Sequence, residues 1–185
     1  VAKSWPPSAT PIARLMNCYG GYLNHYGDYS AAQLETAFPY MYGGGWVTTN
    51  SIEDIANTKL IVYFGLNPSE TRMSGGGMTY SLQEFKKQSN AKMIVIDPRF
   101  TDTAVLAADE WVPIHPGTDA ALVSAMAYVM ITENLHDQAF LDTYTVGFDK
   151  EHMPEGYEDQ DSYKDYILGT GADGTAKTPE WAAPI

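Results

Sequence analysis

Three short polar segments of this sequence carry residue types that bind a nucleotide, and each follows an apolar stretch. Residues 65–72 run Gly-Leu-Asn-Pro-Ser-Glu-Thr-Arg, residues 97–103 run Asp-Pro-Arg-Phe-Thr-Asp-Thr, and residues 116–119 run Pro-Gly-Thr-Asp. Carboxylates suit ribose hydroxyls or a guanine edge, whereas arginine, threonine and backbone N–H groups suit phosphates. The three segments together therefore predict a nucleotide pocket.

Two of these segments also have a purely structural interpretation. Asp119 suits the N-cap of the helix predicted to begin there, and Asp97-Pro98 suits a simple turn. One such loop alone would decide nothing. Because all three loops are expected along one edge of a sheet, their combination favours a binding site.

The surrounding pattern predicts strands and helices in alternation. Buried strands are predicted at residues 59–64, 92–96 and 110–114, the first of them buried on both faces. Helices are predicted at residues 78–88, 119–133 and 137–143. Such alternation is typical of an α/β fold, here a Rossmann-like three-layer domain with a mostly parallel sheet. Ligands of such domains bind outside the carboxyl ends of the strands.

The N-terminal quarter of the chain has a different composition. Residues 1–50 are rich in Gly, Pro, Tyr and Asn and are predicted to form an irregular segment. Residues 51–185 are predicted to form the α/β, dinucleotide-binding-like domain. One short helix is predicted from Ser30 to Thr36, with Asp28 or Ser30 as its N-cap, and residues 38–45 are predicted as loop. Because the chain starts without methionine and stops just after a helix-like start, we expect an internal piece of a larger protein.

Composition narrows the classes of function. Eleven basic and twenty-three acidic residues give a net charge of −12, which disfavours binding to nucleic acid or to anionic lipid. The single cysteine, Cys18, excludes an internal disulfide framework and a multi-cysteine metal site built from this chain alone. No apolar run approaches the roughly 18 residues needed to span a bilayer, so direct membrane insertion is not expected.

Other motifs lack the context that their functions need. Residues 169–174 match Gly-x-Gly-x-x-Gly but follow a tyrosine-rich segment rather than a buried strand. The histidines at positions 25, 115, 136 and 152 have no metal-ligand spacing. A glycine fingerprint is missing after the first strand, which disfavours an NAD-dependent dehydrogenase.

Several motifs in combination resemble those of the dimethyl sulfoxide reductase family of molybdenum enzymes, specifically its catalytic subunit. They are Asn-Cys-Tyr-Gly-Gly-Tyr at 17–22, His-Tyr-Gly-Asp-Tyr-Ser at 25–30, Met-Ile-Val-Ile-Asp-Pro-Arg at 93–99 with Thr-Asp-Thr at 101–103, and Pro-Gly-Thr-Asp-Ala-Ala-Leu at 116–122. Residues 67–77 are most similar to the anaerobic, membrane-associated branch. The resemblance covers nearly the whole chain.

The resemblance implies one molybdenum held between two molybdopterin guanine dinucleotides, with the serine of a Gly-Asp-Tyr-Ser motif as protein ligand. Ser30 is the matching serine, although the residues alone indicate a helix cap. An alkoxide is a hard donor that suits a high-valent metal. The residues implied to line one guanine-dinucleotide arm are Gly65, Asn67, Pro68, Glu70, Thr71, Asp97, Arg99, Thr101, Gly117, Thr118 and Asp119, the last facing the guanine edge.

The implied reaction is a two-electron oxygen-atom transfer that turns an S-oxide or N-oxide into a sulfide or amine and water. The implied partners are an iron–sulfur electron-transfer subunit and a membrane-anchor subunit. The implied location is the periplasm or the outer face of the bacterial cytoplasmic membrane, in anaerobic respiration. The full-length protein is expected to carry a 4Fe–4S cluster, whose cysteines this chain lacks.

The family's substrate-pocket aromatic residues and its C-terminal pterin-binding domain also have no counterpart in this chain. We therefore expect the chain alone to be inactive. The alternative hypothesis is a non-catalytic nucleotide-binding or interaction module with the same fold. Ser30 discriminates between the two, because only the molybdenum enzyme needs it.

Overall fold

The computed structural model describes residues 6–23, 30–43, 50–71 and 77–185, with side chains from residue 11 onward. The chain divides into two compact units, Val1–Ser51 and Ile52–Ile185. The functional role assigned to each part of the chain stays a prediction. Arg72 and residues 73–76, together with residues 25–29 of the His-Tyr-Gly-Asp-Tyr-Ser motif, lie outside the described residues.

The first unit is more helical than expected. Helix α1 spans Pro6–Cys18, within a stretch that was predicted to be irregular. Ile12, Leu15 and Met16 stand at the i, i+3, i+4 spacing of a helix face, and this spacing is the signal that was missed. The high content of proline and glycine in this region outweighed that short pattern in the prediction.

Helix α2 spans Ala32–Tyr42, so it begins and ends later than predicted. Ala31 holds the N-cap position without a side-chain capping bond, so the interpretation of Ser30 as the N-cap is wrong. The helix continues through residues predicted as loop and includes Pro39, whose missing N–H leaves a single carbonyl without its helical partner. It ends at Gly43, where a left-handed φ of 72° lets the glycine N–H donate to the Pro39 carbonyl.

The second unit contains a parallel sheet in the order β1-β2-β3, which confirms the α/β class with a parallel sheet. The strands are β1 (Leu60–Phe64), β2 (Lys92–Ile96) and β3 (Glu110–Val112). In the register, Leu60 pairs with Lys92 and Ile94 pairs with Glu110. Strand β3 ends earlier than predicted because Pro113 has no N–H for the ladder.

The helices of this unit follow the strands. Their bounds are α3 (Pro68–Thr71), α4 (Met78–Ser89), α5 (Asp102–Ala107), α6 (Asp119–Thr132), α7 (Gln138–Tyr144), α8 (Tyr163–Leu168) and α9 (Pro179–Ala182). Short 3-10 helices lie at Ile52–Asn57 and Lys150–His152. Within the described ranges, no helix is both long and apolar enough to cross a membrane.

The hydrophobic core covers one face of the sheet. Met93 and Val95 of β2 are fully buried, and Leu82 of α4 and Ala104 of α5 pack against them. Burial of one Leu or Val side chain contributes about 1.5–3 kcal/mol to the stability of the fold. This packing holds α4 and α5 against the sheet. It therefore also holds the loop between β2 and α5 in place.

The sequence predicts that β1 is buried on both faces, and this prediction is wrong. Leu60 and Phe64 are 50% and 40% exposed, whereas Ile61 between them is buried. The reason is that successive side chains of a strand point to opposite faces of the sheet, and Leu60 and Phe64 lie on the face away from the core.

Local packing accounts for the Gly-x-Gly-x-x-Gly stretch. Gly169 is the C-cap of α8, with a left-handed φ of 69°, and a Cβ there would lie 2.3 Å from the backbone nitrogen of Ala176. At Gly171 a Cβ would lie 2.4 Å from the carboxylate of Asp161. The stretch follows a helix and not a strand, which agrees with its rejection as a dinucleotide fingerprint.

Candidate functional site

The loops after β1 and β2 begin side by side at the carboxyl edge of the sheet. The Gly65 N–H donates to the Ile96 carbonyl at 2.9 Å, and the Asp97 N–H donates to the Val112 carbonyl at 3.2 Å. These two bonds extend the ladder one residue beyond the strands. They therefore set where each loop leaves the sheet.

A buried hydroxyl joins these two loops. Thr103, only 1% exposed, donates to Asn67 Oδ1 at 2.7 Å and accepts from the Ser69 N–H at 3.1 Å. The Asn67 side chain is thus a support within the loop, and its predicted contact with a nucleotide stays a prediction. Ser69 and Thr103 both lie within the predicted loops, but the sequence does not indicate that they contact each other. Their side chains are small and uncharged, so only the fold reveals that they meet.

An ion pair also connects the two loops, between Arg99 Nη2 and Glu70 Oε2. The hydrogen bond from Arg99 is the main cause that lowers the pKa of the Glu70 carboxyl, with a smaller contribution from Asn67. Both side chains are exposed, so water screens the attraction and the pair adds little to stability. A phosphate oxygen can take the place of the Glu70 carboxylate on the guanidinium.

Asp97 is a largely buried carboxylate at this edge, with 9% of its surface exposed. Its Oδ1 accepts from the Arg99 backbone N–H at 2.8 Å, which is the side-chain bond of a turn. The interpretation of Asp97 as a turn residue is therefore correct for this oxygen. The Trp111 indole N–H donates to the Asp97 carbonyl at 2.8 Å, and its ring packs against Phe100. Asp97 Oδ2 has no hydrogen-bond partner among the described residues.

Other predicted residues of these loops have internal roles. Thr101 is 2% exposed, and its hydroxyl accepts from the Ala104 N–H as the N-cap of α5. The Thr71 hydroxyl donates to the Asn67 carbonyl at 2.9 Å, and Pro68 is buried at the start of α3. Gly65 has a φ of +57° and open space where a Cβ would lie. Direct contacts of these residues with a nucleotide stay predictions.

The third loop forms its own local structure. Gly117 has a φ of +82°, and the Thr118 hydroxyl donates to the His115 carbonyl at 2.7 Å. In the part of the chain that the structure describes, no hydrogen bond or ion pair joins this loop to the other two. The structure therefore brings together two of the three predicted loops through direct contacts.

Asp119 is the first residue of α6, and Thr118 holds the N-cap position, so the interpretation of Asp119 as the N-cap is wrong. The Asp119 carboxylate makes no hydrogen bond or ion pair with a described residue. A carboxylate in the first turn is stabilised by the helix dipole. It can also accept hydrogen bonds from a ligand.

Ser30, the predicted molybdenum ligand, lies in the first unit. It is exposed and stands one residue before the N-cap of α2. Its role as a metal ligand stays a prediction.

A histidine–carboxylate cluster connects Asp142 of α7 with Asp149 and His152, and the sequence did not indicate it. His152 Nδ1 lies 2.7 Å from Asp149 Oδ1 and 3.8 Å from Asp142 Oδ1. The hydrogen bond to Asp149 is the main cause that raises the pKa of His152, and the same bond lowers the pKa of the Asp149 carboxyl. His152 is paired with both carboxylates, and we assign no ligand to this cluster.

The sequence of this chain is similar to those of known proteins of one family. The model of the molybdopterin oxidoreductase family matches residues 1–179. Over 185 residues, the chain is 64% identical to dimethyl sulfoxide reductase DmsA of Haemophilus influenzae and 62% identical to DmsA of Escherichia coli, which covers 100% of this chain and 23% of each relative. It is 31% identical to trimethylamine-N-oxide reductase of Haemophilus influenzae, over 96% of this chain and 21% of that protein.

The chain therefore spans less than a quarter of the length of these relatives. The match confirms the resemblance seen in the motifs. This chain belongs to the molybdopterin oxidoreductase family.

Proposed function

We propose that this chain is part of the catalytic subunit of a molybdenum reductase and binds one arm of a molybdopterin guanine dinucleotide at the carboxyl edge of its sheet. The observation that carries the proposal is the joining of the loops after β1 and β2 by a buried hydroxyl and an ion pair. This arrangement places a carboxylate and a guanidinium close together, where ligands of open parallel sheets bind.

The described residues fit a guanine nucleotide. Open space at Gly65 allows a pyrophosphate to approach the backbone. The guanidinium of Arg99, on a side chain that is 67% exposed, can bind phosphate oxygens. Asp97 Oδ2 and the Asp119 carboxylate can accept hydrogen bonds from ribose hydroxyls or from the guanine N–H groups.

When bound, the molybdenum–pterin group supplies the two-electron chemistry, in which an S-oxide or N-oxide takes up two electrons and two protons and yields a sulfide or amine and water. Ser30 would hold the metal through a hard oxygen donor. The residues of the sheet edge hold the nucleotide and so orient the group. The names of the relatives, dimethyl sulfoxide and trimethylamine-N-oxide reductases, support this substrate class.

We also propose partners and a location for the full-length protein. An iron–sulfur subunit would deliver the electrons, a membrane-anchor subunit would hold the complex, and a 4Fe–4S cluster would lie outside this chain. The location would be the cell envelope, at the periplasmic side, in anaerobic respiration. The second guanine-dinucleotide arm would also be bound by parts of the protein outside these residues.

Calorimetric titration of the 185-residue chain with GDP tests the nucleotide site. We expect weak binding that is selective over ADP and NADH, because a carboxylate can accept from the adjacent guanine N1–H and N2–H donors together, whereas adenine presents one amino donor beside an acceptor nitrogen. Asp97→Asn and Asp119→Asn should each weaken GDP binding by roughly tenfold, since each removes a charge-assisted hydrogen bond. Asp159→Asn, which makes the same charge change at an exposed position, is the control.

Equal affinity for GDP and ADP would contradict a guanine site. An equal effect of all three substitutions would show that only net charge matters, and it would also contradict the assignment. Absence of binding to any nucleotide would contradict binding by this chain on its own.

The chain alone is expected to show no reductase activity. It spans less than a quarter of its relatives and offers a single predicted metal ligand. The measurement is oxidation of a reduced viologen dye that depends on added S-oxide or N-oxide, together with molybdenum content by mass spectrometry. Turnover with one metal per chain would overturn this expectation.

A further inference from the structure

We infer that Thr103 is a positioning residue of the nucleotide site, because its buried hydroxyl holds the loop after β1 in a set position relative to the loop after β2. This inference rests on the proposed function and deepens it. Thr103 itself does not touch the nucleotide. It acts through the backbone of Ser69 and the side chain of Asn67.

The hydroxyl has its partners on the other loop. It lies 2.7 Å from Asn67 Oδ1, 3.1 Å from the Ser69 nitrogen and 3.0 Å from Ser69 Oγ. Asn67 and Thr103 are both buried, at 8% and 1% exposure, so water does not compete for these bonds. A buried hydrogen bond is costly to leave unmade, and this one therefore constrains the loop.

Thr103 is itself held on a rigid element. It lies in the first turn of α5, which begins at a Thr101 N-cap and packs its Ala104 and Ala107 into the core. The opposite partner, α3, has only four residues and so cannot hold its own position. Rigidity therefore passes from the core, through α5 and Thr103, to the loop after β1.

The exposed contact between the same loops cannot perform this task. The Glu70–Arg99 pair is accessible to water and is screened by salt. The pair can also rearrange when Arg99 binds a phosphate. The buried bond of Thr103 is independent of that exchange, and it can keep the loop in place while the ion pair rearranges.

Thr103→Val is the main test, because valine keeps the shape of threonine and removes the hydroxyl. We expect GDP to bind the 185-residue chain roughly tenfold more weakly, since the Ser69 N–H and Asn67 Oδ1 lose their buried partner. Amide hydrogen exchange at Ser69 should become faster even without nucleotide. Thr103→Ser retains the hydroxyl and should restore both the GDP affinity and the slow exchange.

The matched control is Ser162→Ala, which also removes a buried hydroxyl, at 2% exposure, but caps α8 instead. It should lower the melting temperature and leave GDP affinity unchanged. If Thr103→Val and Ser162→Ala weaken GDP binding equally, Thr103 has only a general structural role and the inference is overturned. An unchanged affinity in Thr103→Val overturns it as well.

The exchange measurement separates this inference from the proposed function. If the unmodified chain binds no GDP while Ser69 exchange still depends on Thr103, the proposed nucleotide site fails and Thr103 is only a loop anchor. If the chain binds GDP while Ser69 exchange is unaffected by Thr103→Val, the proposed site stands and the positioning role fails.

Discussion

Replacing Ser30 by alanine in the full-length subunit is expected to abolish oxide reduction. The change removes the predicted oxygen donor to molybdenum, and alanine offers no atom that can bind a metal. Substitutions that only support a metal ligand reduce metal affinity or activity by roughly 10–100-fold, so the loss of a direct ligand should exceed a hundredfold. The measurements are molybdenum content per subunit and the rate of dimethyl sulfoxide reduction with a reduced dye.

The structure makes this substitution interpretable. Ala31, and not Ser30, holds the N-cap position of α2, so Ser30→Ala leaves the N-cap residue of this helix in place. Ser51→Ala, at an exposed serine, is a suitable control for a lost hydroxyl. Ser30→Cys replaces the hard oxygen by a soft sulfur donor, and it should retain part of the metal with altered activity.

Unchanged molybdenum content and activity in Ser30→Ala would show that Ser30 is not the ligand. The non-catalytic nucleotide-binding module would then be the better hypothesis for this chain, because that hypothesis does not require the serine.

Gly169→Ala is expected to produce the largest loss of stability among the substitutions considered for the second unit. Its left-handed conformation costs alanine about 1–2 kcal/mol. The added Cβ would also lie 2.3 Å from the Ala176 backbone nitrogen, and overpacking of this kind typically costs about 1–3 kcal/mol more. The free energy of unfolding should therefore fall by about 2–5 kcal/mol, measured by urea unfolding followed by circular dichroism.

Gly174→Ala is the matched control, from the same glycine-rich stretch. It has a similar left-handed φ of 64°, but nothing lies within 4 Å of the position of its Cβ. It should lose only the conformational contribution of about 1–2 kcal/mol. Equal losses of unfolding free energy at the two glycines would show that the contact with Ala176 does not affect stability. A selective loss of GDP binding in either variant would mean that the stretch binds nucleotide after all.

The class of the fold and the family follow from local sequence patterns alone. The apolar, β-branched run at Lys92–Ile96 and the apolar stretch from Asp119 are local patterns, and local patterns determine whether a segment forms a strand or a helix. The motifs at 93–99 and 116–122 carry the family resemblance in the same direct way. These features need no knowledge of which segments meet.

The contacts between polar residues, by contrast, depend on how the chain folds. Thr103 meets Asn67 although 36 positions separate them, and Arg99 pairs with Glu70 across 29. Such contacts depend on the register of β1 against β2 and on the packing of α5, and neither leaves a periodic pattern in the sequence. For the same reason, the exposed edge position of β1 was not predictable from its apolar run. The limits of helix α2 were missed because Pro39 and the neighbouring glycines indicate a loop, whereas a helix can continue through one missing N–H.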